Sequence, residues 1–117
     1  MKIKKGVTRI VLIFQTFVIK IPNFTYSHQN FLIGCTSNWN ERHFCKTFKG
    51  YKDIIWNVSP SIWCSWFGII QIQKRCKPLN RDLTKEEKRK FKITCNEDFK
   101  KENFGYYNNK LVCLDYG

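Results

Sequence analysis

From Val7 to Ile21 the apolar residues run almost unbroken and are mostly β-branched or aromatic, with Gln15-Thr16 the one polar interruption. That pattern suits two short buried strands joined by a tight reversal, and Pro22, which has no N–H to give a ladder, ends the second. The period then changes. Phe31, Gly34/Cys35, Asn38/Trp39, Arg42 and Cys45 follow one another three or four positions apart. This spacing predicts a helix from Ser27 to about Phe48 with Ser27 as its N-cap, although Gly34 and Thr36-Ser37-Asn38 oppose it on propensity.

Beyond the helix, Lys49 to Asp53 reads as a loop and Asn57 to Pro60 as a second break. Ile62 to Phe67 and Ile69 to Gln73 are strand-like runs parted by Gly68, which predicts a hairpin. Cys76 to Leu79 then leaves that sheet. Thr84-Lys85-Glu86-Glu87 has the spacing of a capping box, a Thr hydroxyl with a Glu three positions on, and opens a charged helix through about Ile93. Lys110 to Leu114 is a last short strand after an Asn108-Asn109 turn. The sum is an α+β chain, and its 117 residues make one domain by length.

Charge changes the picture most. The formal net charge is +12, from 21 Lys and Arg against 9 Asp and Glu, so the chain attracts polyanions: nucleic acid, acidic surfaces or nucleotide phosphates. The lysines are spread along the whole chain, which is also how a merely solvated basic surface looks. Six cysteines, at 35, 45, 64, 76, 95 and 113, include no C-x-x-C pair, so zinc spacing is absent. Most lie in apolar runs, and buried free thiols are the expectation. Lys2-Ile3-Lys4-Lys5 ahead of an apolar stretch resembles the start of a signal peptide, yet Lys20 and Pro22 stand where a small-residue cleavage site belongs. The stretch is also short of the roughly 20 residues a membrane span requires, so no membrane partner and a cytoplasmic location are expected. The triplets Asn23-Phe24-Thr25 and Asn57-Val58-Ser59 match the glycosylation pattern but mean little without a secretory route. His28 and His43 are too isolated for a metal site and read as surface or cap residues.

The chemistry-bearing residues gather near the end. Asn96-Glu97-Asp98-Phe99-Lys100-Lys101-Glu102-Asn103 resembles the protein-kinase catalytic loop H-R-D-L-K-P-x-N, and Lys110-Leu111-Val112-Cys113-Leu114-Asp115-Tyr116-Gly117 resembles the strand that leads into D-F-G. Upstream, Phe17-Val18-Ile19-Lys20 resembles the V-A-I-K strand, and Glu41, on the expected helix, is the only carboxylate between Lys20 and Asp53. The resemblance implies a kinase-like nucleotide lobe at 1–78, an antiparallel sheet with one helix and a hinge, followed by a partial second lobe at 79–117. It also implies roles: Asp98 as base, Lys100 and Lys20 as phosphate contacts, Glu41 as the partner of Lys20, and Asn103 and Asp115 as Mg²⁺ ligands. Ile72 would guard the back of an ATP pocket, with Lys74, Arg75 and Cys76 as the hinge. The chain is similar in this to short kinase-like proteins of viral genomes, which would place it in host cytoplasm.

The family pattern is not complete. No Gly-rich loop precedes Lys20, and Gly6 stands alone, so the first strand and its flap are expected to be missing or replaced. Asn96-Glu97 stand where the family has His-Arg. The sequence ends where an activation segment would begin, which leaves the apolar residues of Leu111 to Leu114 to be covered by a protein partner or a second copy. Three functions follow: a nucleotide-binding protein that transfers phosphate to a hydroxyl, an inactive pseudokinase-like interaction module, or a basic nucleic-acid-binding protein.

Overall fold

The computed structural model describes residues 1–55, 57–92 and 99–116. The chain is α+β, and it divides into two compact units, residues 1–47 with 60–75 and residues 48–59 with 76–116.

The first unit is a five-stranded antiparallel sheet against one long helix. Its strands are β1 (Lys2–Lys5), β2 (Arg9–Ile13), β3 (Phe17–Pro22), β4 (Ser61–Cys64) and β5 (Gln71–Lys74), in the order β1-β2-β3-β5-β4. The two strands expected before Pro22 are β2 and β3, reversed where Phe14 N–H donates to Phe17 O at 2.9 Å. Where the first strand was expected to be missing or replaced, Lys2–Lys5 form β1. Its residues Lys-Ile-Lys-Lys are all exposed and carry no hydrophobic signal; they are strand because the edge of β2 offers a ladder, from Lys2 opposite Ile13 to Lys5 opposite Ile10. A lysine-rich edge also discourages pairing with a further chain.

Helix α1 (His28–Thr47) begins one residue after Ser27, whose Oγ accepts from Asn30 N–H at 3.1 Å, as an N-cap does. Gly34, unfavourable by propensity, has a packing reason. A Cβ there would strike the Thr8 carbonyl and come within 2.9 Å of Pro22, so the missing side chain is what lets α1 lie close against β2 and β3. The β4–β5 hairpin forms, but its strands are shorter than the apolar runs implied. Trp66–Gly68 instead make a 3-10 turn with Phe67 at φ 67° and Gly68 at φ 70°. A Cβ on Gly68 would strike the Cys35 carbonyl of α1, so this glycine serves both the backbone angle and the approach of the helix.

The second unit holds α2 (Lys52–Ile55), where a loop was expected, then β6 (Lys77–Pro78), α3 (Lys85–Phe91), a 3-10 turn at Lys101–Asn103, β7 (Phe104–Tyr107) and β8 (Lys110–Cys113). β6, β7 and β8 form an antiparallel sheet in that order, so Lys77–Pro78 leave the first sheet only to join a second. Thr84 caps α3 as its spacing predicts: Glu87 N–H donates to Thr84 Oγ1 at 3.2 Å, and Thr84 N–H to Glu87 Oε1 at 2.9 Å. Arg81, bonded to both Glu87 oxygens, holds that carboxyl down at about 2, helped by the Thr84 backbone. Asn108 and Asn109, at φ 51° and 64°, make the tight turn between β7 and β8 that their side chains favour.

The unit closes on itself. Phe91 and Phe104 meet edge to face with centroids 5.1 Å apart, and Leu79, Leu83, Val58 and Val112 are buried around them. Val112 and Cys113, expected to need a partner to cover them, are buried by their own chain: Val58 bridges Cys113, Ser59 N–H donates to Cys113 O at 2.9 Å and Tyr116 Oη to Ser59 O at 2.6 Å. The cysteines also differ from expectation. Cys35 and Cys45 are buried thiols, and Cys64 and Cys76 are thiols only half-buried. Cys113 is disulfide-bonded.

Candidate functional site

The helix-facing side of the first sheet is polar. Lys20 sits opposite Val11 on β2 and opposite Gln71 on β5, and Val18 opposite Gln73, so Arg9, Lys20, Gln71 and Gln73 share one face of the pleat. All four are buried. The alternation Gln71-Ile72-Gln73 reads as a half-buried strand whichever way it faces, and here the glutamines are inside while Ile72 is the more exposed. The reason is on the helix, where Gly34, Asn38, Glu41 and Cys45 point inward. Asn38 and Glu41 demand polar company, since a buried carboxylate or amide left unpaired costs more than the apolar burial it displaces.

Glu41 is the hub. Its side chain is 0% exposed. Arg9 grips it with both ends of the guanidinium, Nη1 to Oε1 at 2.8 Å and Nη2 to Oε2 at 3.0 Å, while Lys20 Nζ donates to Oε1 at 2.9 Å and Gln71 Nε2 to the same oxygen at 2.8 Å. Asn38 locks the frame: its Oδ1 accepts from Arg9 and Gln71, and its Nδ2 donates to the backbone oxygens of Lys20 at 3.0 Å and Gly68 at 2.8 Å. Burial by itself would raise the Glu41 pKa. The charges of Arg9 and Lys20 and the bonds from Arg9 and Gln71 outweigh it, and the carboxyl is held well below its ordinary value. One acceptor near this hub, Gln71 Oε1, has no partner, as does Ser61 Oγ. The Gln71 amide is oriented by Glu41, because turning it over would set its oxygen against the carboxylate.

The expected site residues fall into three sets. Lys20 and Glu41, the pair the resemblance implied, come together in the first unit. Ile72 lies mid-strand on β5, opposite Ile19 and Trp63. Lys74 ends that strand, and Arg75 follows with Nη1 donating to Phe14 O at 3.0 Å. In the second unit, Cys76 Sγ lies 3.3 Å from Ser59 Oγ, Lys100 is exposed at the start of the 101–103 turn, and Asp115 is exposed. Leu114 N–H donates to Asn103 O at 2.7 Å, so Asp115 directly follows a residue bonded to Asn103. Asn103 and Asp115 carry oxygen donors of the type Mg²⁺ takes, an amide and a carboxylate. No group of three or more His, Cys, Asp or Glu gathers among the described residues. Asp98 lies outside the described residues.

Sequence reasoning missed Arg9, Asn38 and Gln71. Arg9 opens an apolar run and Gln71 stands among isoleucines, and either anomaly is a signal that a buried polar partner exists. Asn23, in one glycosylation triplet, is buried and bonded through Nδ2 to Gly6 O at 2.6 Å, with its Oδ1 taken by Thr25. No helix among the described residues is long and apolar enough to cross a membrane.

What fold and site define together is a class: an α+β protein in which one helix is bolted to an antiparallel sheet through a buried Arg–Glu–Lys cluster. No protein-family model, curated protein or solved structure matches the chain.

Proposed function

We propose that the chain is a kinase-like nucleotide-binding protein. The observation that carries this reading is the 2.9 Å ion pair between Lys20, on the third strand of the antiparallel sheet, and Glu41, on the helix that follows it. In protein kinases a third-strand lysine paired with a helix glutamate contacts the nucleotide phosphates. The helix placed between strands three and four supports the same reading, as do the strand and turn that bring Asp115 after β8. Bound Mg²⁺ would neutralise phosphate charge. For this chain's own residues, Glu41 fixes the Lys20 ammonium in place, Asn103 and Asp115 supply oxygen ligands in the second unit, and Asp98 is the base the resemblance names.

A second reading, the inactive interaction module, is favoured by Arg9. It occupies both oxygens of Glu41, so the helix is held to the sheet whether or not a nucleotide is present, and Lys20 is only 5% exposed. Thermal melting with and without ATP and Mg²⁺ separates the two. Nucleotide binding raises the melting temperature, by the equivalent of about 2.7 kcal/mol at a hundredfold excess over Kd. Asp115→Ala, an exposed change, removes the Mg²⁺-dependent part of that rise. No rise with any nucleotide overturns the first reading and leaves the second.

A further inference from the structure

The outer face of α1 and the β4–β5 turn enclose a groove of about 800 Å³ within the first unit. It is the opposite of the buried network in character. Phe31, Leu32 and Cys35 line it toward the start of the helix, Trp39 stands midway, and Arg42 and Lys46 line it toward the end, while Trp66 and Phe67 form the facing wall. Trp66 is 83% exposed and Phe67 66%. Large apolar side chains gathered this openly along one concave surface mark a binding surface rather than ordinary scatter.

The turn that presents them is held under strain. Phe67 has φ 67°, in the left-handed region that a bulky residue rarely adopts. Asn38 Nδ2 holds the turn through Gly68 O, and Ser65 closes it, N–H to Ile70 O at 2.8 Å and Oγ accepting from Ile70 N–H at 2.9 Å. These bonds fix the backbone of the turn from which the two rings project. The groove's two thiols, Cys35 and Cys64, are pushed up by burial, so they add no negative charge.

Charge selects the occupant. Among the described residues that line the groove none is acidic, and its basic residues are at one end only, Arg42 being fixed there by its bond to Ser61 O at 2.7 Å. We infer that this groove docks an acidic amphipathic segment of a partner protein, apolar side chains against Leu32, Trp66 and Phe67 and carboxylates against Arg42 and Lys46. From residue 31 to residue 46 the helical wall is about 22 Å long, room for a helix of roughly 15 residues. A second copy of the chain is a poor occupant, because each copy carries +12 and the basic end would face another basic surface. Single-stranded nucleic acid is a poor one too: one face of the Trp39 ring is already covered by His43, with centroids 4.6 Å apart and planes 10° from parallel, and Leu32 and Ile69 offer a base no flat surface. This inference does not rest on nucleotide binding, and its test uses none.

The test is a selection of random peptides of about 16 residues, the length of the helical wall, on the full chain, with Trp66→Ala/Phe67→Asn as the counter-target. Both changes are at exposed positions and Asn accepts the φ of residue 67, so the variant folds, which its melting curve checks. The expected result is a set of peptides with interleaved acidic and large apolar residues, whose affinity falls about tenfold or more on Trp66→Ala and, separately, on Lys46→Glu. Failure to enrich anything over the counter-target overturns the inference. So does enrichment of peptides without acidic residues, tighter Trp66-dependent binding of an oligouridine, or sedimentation as a dimer that Trp66→Ala dissolves.

Discussion

The two units are built on opposite principles. In the first, Arg9, Lys20, Asn23, Asn38, Glu41, Ser61, Gln71 and Gln73 are buried, and the buried apolar side chains are few: Ile10, Pro22, Cys35 and Cys45. In the second, Phe91, Phe104, Val58, Val112, Leu79 and Leu83 fill the interior, and among its described residues no carboxylate is buried. A charged interior gains little net free energy over an apolar one, because desolvation offsets most of the Coulomb attraction, but it tolerates only one arrangement of its parts. An apolar interior is more forgiving of small shifts, and every buried methylene contributes. The first unit thus spends stability on fixing where one helix lies, while the second is held mainly by burial.

The largest effect should come from breaking the charged interior. Glu41→Ala leaves two buried cations facing each other and is expected to cost about 4 kcal/mol, seen as a lower urea midpoint. The comparison sharpens with the variant Arg9→Met/Lys20→Met/Glu41→Leu, which removes the charges together and should return to within about 1 kcal/mol of the parent. If the triple variant is as unstable as Glu41→Ala alone, the charges contribute stability and the contrast between the units is wrong.

Phe91→Ala comes next. Emptying the Phe91–Phe104 contact should cost about 3 kcal/mol through lost transfer energy and a cavity, and the deficit should be the same at pH 7 and pH 4. Acid acts on both units, through the exposed Glu87 pair in the second and through the buried Glu41 in the first. The Glu41 carboxyl has a folded pKa below its ordinary 4.5, so its contribution is fully present above that value and is lost as pH falls toward the depressed one. Urea midpoints measured from pH 6 to pH 3 should therefore fall for the parent and stay flatter for Glu41→Gln. Parallel curves would show that Glu41 is not the acid-sensitive group.

Smaller effects test the local devices. Thr84→Ala removes the α3 cap and should cost about 1 kcal/mol in the second unit. Phe67→Asn, which relieves a left-handed phenylalanine, should gain about 0.5 kcal/mol in the first, read as a small rise in melting temperature.

Much of this was visible along the chain. The Ser27 cap, the Thr84 capping box, the Asn108-Asn109 turn and the β2–β3 reversal all formed where their residues indicated, and Lys20 and Glu41 met. Other features left weaker traces or misleading ones. Strand β1, Lys-Ile-Lys-Lys, is mostly lysine, and β7, beginning at Phe104, follows a segment that reads as loop. The Gln71-Ile72-Gln73 alternation gave the period of a strand but not its inside, and the helical spacing of Trp39 left open whether it packs in the core or faces outward; it is half-exposed at the groove.

The division has a physical cause. Caps, tight turns and strand propensity involve atoms a few residues apart, so the amino-acid sequence by itself determined them, and with them the α+β class, the basic charge and the extent of α1. Which face of the first sheet is inside, that β1 pairs at all, that Arg9 reaches Glu41 across 32 positions, and that Phe67 is forced to a positive φ were decided only by tertiary structure. Each depends on a partner distant in the chain, Glu41 on β2, β3 and β5 together, and the turn at Phe67 on Asn38 of the helix, and no local pattern can hold that information.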